Sequence, residues 1–243
     1  MHQVRPEELK ELLLKIPSPY QITDPKTSLQ ILKPHRDPEI TNPKTIEDVK
    51  KFMEALTEDL EANIDEVYPD IYIGNKKILE DIDKLKEMGI KTILNAADGD
   101  KGLSYVPKSS LPPLEKYFDY YGLEINDAEV KHNTEILENY ETATEIIDSA
   151  LKKGKILVNC YIGTSRSATC VIFYLIKTKG LTAEEAITLL KKKRDICPSN
   201  EGLTHIANYH NFTHGFPLVS GESLPMDPFR RLLRTIYGKL TDC

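Results

Sequence analysis

The segment KILVNCYIGTSRSATC, residues 155–170, places Cys160 and Arg166 on either side of five small or turn-forming residues, between two hydrophobic runs. If KILV is a strand and the residues from Arg166 onward a helix, the turn between them is built to hold an anion beside a sulfur. Successive backbone N–H groups in such a turn can face inward, and the helix adds its unsatisfied N-terminal donors and the positive end of its dipole. That concavity suits a phosphate dianion. The same field stabilises a thiolate, so Cys160 is expected to ionise readily and act as a nucleophile near neutral pH.

The neighbours fill the other roles of a phosphoryl transfer. Arg166 brings a permanent charge in a planar fork that can grip two phosphoryl oxygens and hold them in the transition state. Ser167 can donate a hydrogen bond to the Cys160 sulfur and ease its departure from a phosphocysteine. Gly163 permits a backbone conformation that a side chain would obstruct. Tyr161, Ile162, Gly163, Thr164 and Ser165 supply the cradle together with Arg166. An acid must also protonate the leaving oxygen. Asp127, opening a loop after an expected strand in LEINDAEVKHN, is the best placed, with Asp98 and Asp100 as rivals by residue type. This chemistry needs no metal and no cofactor.

The elements that would position these residues can be read from periodicity. From Glu66 to Phe212, short β-like runs alternate with helical periods, the mark of an α/β layer fold. EVYPDIYIG and KTILNAA read as strands flanking a helix, KKILEDIDKLKEMG, that buries Ile78, Leu79, Ile82 and Leu85 and ends at Gly89. YYGLEIND and KILVNC are further strands. TEILENYETATEIIDSALKK repeats Ile136, Tyr140, Ala143, Ile147 and Leu151 at helical spacing. SRSATCVIFYLIKTKG is apolar through its middle and is expected to be a buried helix closed by Gly180. Thr182 with Glu185 forms a capping box for the next helix, and a last core helix follows Pro198, carrying Leu203, Ile206 and Phe212.

Outside this region, residues 1–45 form a proline-punctuated extension whose helix PEELKELLLKI could pack on the core, dangle or bind a partner. TIEDVKKFMEALTEDLEA begins the domain, taken as 46–212, with an amphipathic helix. The tail 213–243 ends in DPFRRLLRTIYGK, a helix with Asp227 as its cap and an apolar stripe for packing.

Composition sets the class. The chain has 243 residues, 40% hydrophobic and 29% charged, which suits a folded globular protein rather than a disordered or fibrous one. A formal charge of −6 argues against nucleic acid as a partner. No run reaches the roughly 20 apolar residues of a membrane span, and MHQVRPEELK has no signal-peptide core, so a cytoplasmic or nuclear location is expected. Four irregularly spaced cysteines favour reduced thiols over a disulfide scaffold. Cys170, inside the apolar helix, reads as an inert small hydrophobe. His205, His210 and His214 are too weakly patterned for metal ligands and read as surface or capping residues. The run Lys191–Arg194 reads as a solvated helix face. Nothing in the pattern sets an oligomeric state.

Cys160, the five residues after it, Arg166 and Ser167 match the Cys-x5-Arg-Ser/Thr signature of protein tyrosine phosphatases, and the surrounding segments resemble the small atypical dual-specificity phosphatases. EVYPDIYIGN is similar to that family's first strand, KTILNAADG to its second, and Asn126-Asp127 to its general-acid loop, 33 residues before the cysteine. RDICPSNEGL resembles the turn leading to its final helix, one residue longer and with Leu203 in place of an aromatic. The likeness spans roughly 46–212. It implies a central mixed sheet of about five strands flanked by helices, and hydrolysis of phosphotyrosine and phosphoserine/phosphothreonine in proteins through a phosphocysteine. Phosphoinositide phosphatases of the same superfamily commonly place lysines in the cradle. Tyr161, Ile162 and Thr164 are not basic, which favours a phosphorylated protein as substrate. One departure stands out: Asn159 occupies the position where the family usually has histidine. It is the sequence support for one alternative, a phosphoprotein-binding pseudophosphatase; a phosphatase for a lipid, RNA or glucan phosphate is a further alternative.

Overall fold

The structure is a computed structural model that describes residues 1–19, 61–99, 105–126 and 134–219. The helix expected over 45–62, apart from its last two residues, which are not helical, and the one expected over 227–239 therefore lie outside the described residues, as does Asp127. Residues 1–19 and 62–219 form one compact unit.

Its centre is a five-stranded mixed sheet: β1 (Ile64–Tyr68), β2 (Ile71–Gly74), β3 (Ile90–Asn95), β4 (Asp119–Gly122) and β5 (Lys155–Asn159), in the spatial order β1-β2-β5-β3-β4. The segment EVYPDIYIG, read as one strand, is an antiparallel hairpin. Pro69 cannot continue a central strand, and Asp70 turns the chain at φ 64, in the left-handed region that Asp tolerates. The Asp70 N–H donates to the Glu66 carboxylate at 3.0 Å.

All other pairings are parallel, so β2, β5, β3 and β4 end at one edge. Gly74 is opposite Asn159, Asn159 opposite Asn95, and Asn95 opposite Gly122. Ligands of open α/β sheets sit beyond such carboxyl ends. Cys160 leaves this edge from β5, the middle strand. Ile156, Leu157 and Val158 are fully buried, as expected of a central strand covered on both faces.

The helices are α1 (Pro6–Lys15), α2 (Ile82–Glu87), α3 (Thr134–Leu151), α4 (Arg166–Lys179), α5 (Ala183–Lys191) and α6 (Asn200–Thr213). The stretch read as one helix from Lys76 breaks in two: a 3-10 turn over Lys76–Glu80, then α2. The break comes at Asp81, whose side chain caps α2 by accepting the Lys84 N–H at 3.0 Å. Ile82, expected inside, is only half-buried. Helix α4 is buried from Arg166 to Ile176 and closes on Gly180 at φ 66. Thr182 and Glu185 form the capping box of α5. His210 adds to that cap, because its Nδ1 accepts the Ala183 N–H at 3.2 Å.

Phe173 of α4 lies between Tyr140 of α3 and Tyr209 of α6, with ring centroids 4.6 and 4.3 Å away. Stacked pairs of this kind contribute about 0.5–1.5 kcal/mol each beyond their buried area. No helix among the described residues is long and apolar enough to cross a membrane.

Of the three fates open to α1, packing is the one observed. Val4, Leu9 and Leu13 are buried against the α5/α6 side of the unit. Asn211, fully buried on α6, accepts the Val4 N–H at 2.8 Å and donates to the Val4 carbonyl at 2.9 Å, as a neighbouring strand would. Asn211→Ala leaves both backbone groups buried without partners, a cost of about 1–3 kcal/mol. The expected result is a lower denaturant midpoint and earlier proteolytic cleavage within residues 1–15. A midpoint equal to wild type would show that this clamp contributes nothing.

Candidate active site

The loop from Cys160 to Ser165 is held from outside at four points. The Tyr161 carbonyl accepts the Lys76 N–H at 3.1 Å, and the Thr164 carbonyl accepts the Cys197 N–H at 2.9 Å. The Gly163 carbonyl accepts Nε of Arg194 at 2.6 Å, and Ser165 Oγ accepts the Ser199 N–H at 2.9 Å. A trans peptide points its carbonyl and its N–H in opposite directions. Three outward carbonyls therefore turn the N–H groups of Ile162, Thr164 and Ser165 the other way, into the loop. The remaining amide, Gly163 N–H, donates to the Cys160 sulfur at 3.3 Å.

Gly163 is required by both space and conformation. Its φ is +82, and a Cβ there would lie 2.5 Å from the Gly74 carbonyl oxygen and 2.7 Å from Nη2 of Arg194. The crown of the loop is thus wedged between the end of β2 and a buried arginine.

Cys160 is 2% exposed. Burial alone pushes its thiol pKa up. The charge of Arg166, the Ser167 hydroxyl and backbone N–H, and the Gly163 N–H outweigh that and bring it below the ordinary thiol value. Ser167, fully buried in the first turn of α4, has its Oγ 3.3 Å from the sulfur, and donates to it when the sulfur is a thiolate. Arg166 is also buried, with its guanidinium 5.6 Å from the centre of the Tyr105 ring. Its charge is the natural partner of a thiolate or of a bound dianion.

Asn159 is fully buried and bridges strands. Its amide donates to Oδ1 of Asn95 at 3.1 Å, while the Asn95 amide donates to the Val106 carbonyl and to the Tyr120 hydroxyl. Tyr120 in turn donates to Asp98 at 3.4 Å. Burial raises the Tyr120 pKa to about 12, so it keeps this proton. The residue in the usual histidine's place therefore ties β5 to β3 and, through Tyr120, to β4. Its own Oδ1 is buried without a hydrogen-bond partner.

The structure brings Cys160, Tyr161, Ile162, Gly163, Thr164, Ser165, Arg166 and Ser167 into one cradle. Asp127 cannot be placed against it, and Asp100 likewise lies outside the described residues. Asp98 is committed elsewhere, accepting the Lys108 N–H at 2.9 Å and organising the connection between β3 and β4.

The basic run at 191–194 is corrected. Lys192 and Lys193 are exposed, but Lys191 and Arg194 are buried. Lys191 bonds Asp195 and the Ile196 carbonyl, and Arg194 reaches the loop. Sequence reasoning missed Arg194 because a cationic run at a helix end ordinarily faces solvent. The available signal was its place as the first residue of RDICPSNEGL, the segment that carries the family likeness.

The comparisons agree with this geometry. Residues 71–212 match the family model for the dual specificity phosphatase catalytic domain. Human dual specificity protein phosphatase 13B is 33% identical over 144 residues, covering 57% of this chain and 68% of that protein. The human tyrosine phosphatase-like serine/threonine/tyrosine-interacting protein superposes with a TM-score of 0.52 at 24% identity, over 62% of this chain and 97% of that one. Human DUSP28 does so with 0.51 at 18%, over 64% and 97%. At such identities the two solved structures speak for the fold alone. The family model, spanning more than half of the residues and including the whole Cys160 loop, decides the matter: the chain belongs to the dual specificity phosphatases, the cysteine-based family of protein phosphatases.

Proposed function

We propose that this chain removes phosphate from tyrosine and from serine or threonine side chains of proteins, with Cys160 as nucleophile and Asp127 as acid and base. The observation that carries the reading is the pinned loop. Its outward carbonyls leave the amides facing one sulfur, which also receives hydrogen bonds from Gly163 and Ser167 and lies beside the Arg166 charge. A ring of donors around a thiolate is complementary to a tetrahedral dianion.

In the first step the Cys160 thiolate attacks phosphorus and the P–O bond to the substrate breaks. The leaving oxygen takes the proton of the Asp127 carboxyl. Loop amides and the Arg166 fork hold the equatorial oxygens as charge spreads over them. In the second step water attacks phosphorus, its proton passes to the Asp127 carboxylate, and the P–S bond breaks. The departing thiolate accepts the Ser167 hydroxyl. Inorganic phosphate leaves with every proton accounted for.

A phosphorylated protein, rather than a lipid, is supported by the cradle's own side chains. Tyr161, Ile162 and Thr164 offer no lysine to a polyphosphorylated headgroup, and the charge that faces the anion is Arg166.

Cys160→Ser is expected to lower aryl phosphate hydrolysis by about a thousandfold or more, while inorganic phosphate still binds. Undiminished turnover would sink the mechanism. A wild-type chain that binds phosphopeptides without hydrolysing them would favour a binding module instead. The pH profile carries a definite sign. Because Cys160 ionises below the ordinary thiol pKa of about 8.5, kcat/KM rises with pH through that lowered value and falls again as Asp127 loses its proton. Asp127→Asn removes the falling limb and costs about a hundredfold or more in kcat for alkyl leaving groups, with a smaller loss for a good aryl leaving group. Equal losses for both would reassign the acid.

A further inference from the structure

Arg194 is the most deeply buried cation outside the cradle among the described residues, with a side chain 3% exposed. Its planar fork reaches three acceptors on three separate segments. Nε donates to the Gly163 carbonyl at 2.6 Å, Nη1 to Oδ2 of Asp65 on β1 at 2.6 Å, and Nη2 to Oδ1 of Asn63 just before β1 at 2.5 Å. A guanidinium can satisfy three fixed directions at once, and an ammonium cannot reproduce that geometry. None of these bonds involves substrate-facing atoms. Arg194 grips the outer side of the one residue whose inner side touches the nucleophile.

Gly163 is that residue. Its N–H and C=O belong to consecutive peptides, and the left-handed turn at φ +82 sends the first toward the Cys160 sulfur and the second toward Arg194. The two peptides share the Gly163 Cα, so a hold on the outer carbonyl narrows the directions open to the inner N–H. We infer that Arg194 is a positioning residue for the reaction: held by Asp65 and Asn63, it fixes the Gly163 carbonyl and so keeps the Gly163 N–H aimed at the Cys160 sulfur. This rests on Cys160 being the nucleophile. It gives the buried end of the basic run a task quite different from that of a solvated helix face. Asp65 and Asn63 become part of the catalytic apparatus at one remove, through β1 and the residue that leads into it.

The test uses the full chain and reads the sulfur directly. Alkylation of Cys160 by iodoacetamide is followed against pH and resolved by mass spectrometry from Cys197, which is exposed. Arg194→Lys keeps the charge but loses the fork. The alkylation midpoint is expected to move up by about half to one pH unit. In parallel, kcat for an aryl phosphate is expected to fall about tenfold or more, with KM changing less. Asp65→Ala frees the fork on one side and shifts both readings in the same direction by less. Asn63→Ala removes one acceptor at an exposed position without altering charge, and supplies the comparison if the other variants fail to fold. A wild-type alkylation midpoint in every folded variant overturns the inference, since a purely structural arginine would lower thermal stability and leave the sulfur unchanged. If the wild type itself shows a depressed Cys160 midpoint but no turnover, the proposed reaction fails while the alkylation series still judges Arg194.

Discussion

A cysteine held below the ordinary thiol pKa and an arginine, both buried at the two ends of one loop, are the constraint on which this molecule depends. Neither charge is tolerable alone in a site this enclosed: Cys160 is 2% and Arg166 5% exposed. Together, with amide and hydroxyl donors turned toward the sulfur, each makes the other's burial possible. The donors can be spared for the anion only because the loop's carbonyls are satisfied elsewhere. That requirement explains why so many distant segments converge on six residues. The start of the 3-10 turn and the residues just past α5 each bring one group to the outside of the loop, and the stretch before α6 brings two.

The sheet provides the common floor. Parallel pairing of β2, β5 and β3 puts Gly74, Asn159 and Asn95 in line, so the chain leaves β5 between the ends of its two neighbours. Gly74 is also closely surrounded, since a Cβ on it would meet Ile78 and Leu157 side chains at 2.9 and 3.1 Å and the Asn63 carbonyl at 3.1 Å. Asn159 then ties this floor sideways to β3. A histidine would present two ring nitrogens at this point, whereas asparagine offers one amide that meets Asn95 and one oxygen without a partner. That orphan oxygen lies on the residue that precedes Cys160, at the start of the loop.

Residues 1–19 contribute to the same unit by a different route. They bury apolar side chains against α5 and α6 and satisfy their backbone through Asn211, with His210 capping α5 beneath them. This packing supports α5, whose last turn leads into Arg194. The N-terminal segment is thus structurally continuous with the elements that hold the catalytic loop.

The sequence by itself pointed to the proposed chemistry and determined most of the elements. Cys160, Gly163, Arg166 and Ser167 declare themselves because their roles depend on local spacing: a strand end, a tight turn and a helix start suffice to bring them together. The helices α4 and α5 were legible for the same reason, through Gly180 and the Thr182–Glu185 box. Local patterns also had limits. The Pro69–Asp70 turn lay hidden inside what looked like one apolar run, and Asp81 divided a continuous helical period, because a single capping contact overrode propensity. What only the tertiary structure decided are the contacts made across long separations. Arg194 meets Asp65 across 129 residues and Gly163 across 31, and no periodicity records such pairings. A basic residue at a helix end has the same appearance in sequence whether it faces water or a loop carbonyl. Packing of the whole unit chooses between them, by deciding which carbonyls would otherwise be buried without a donor.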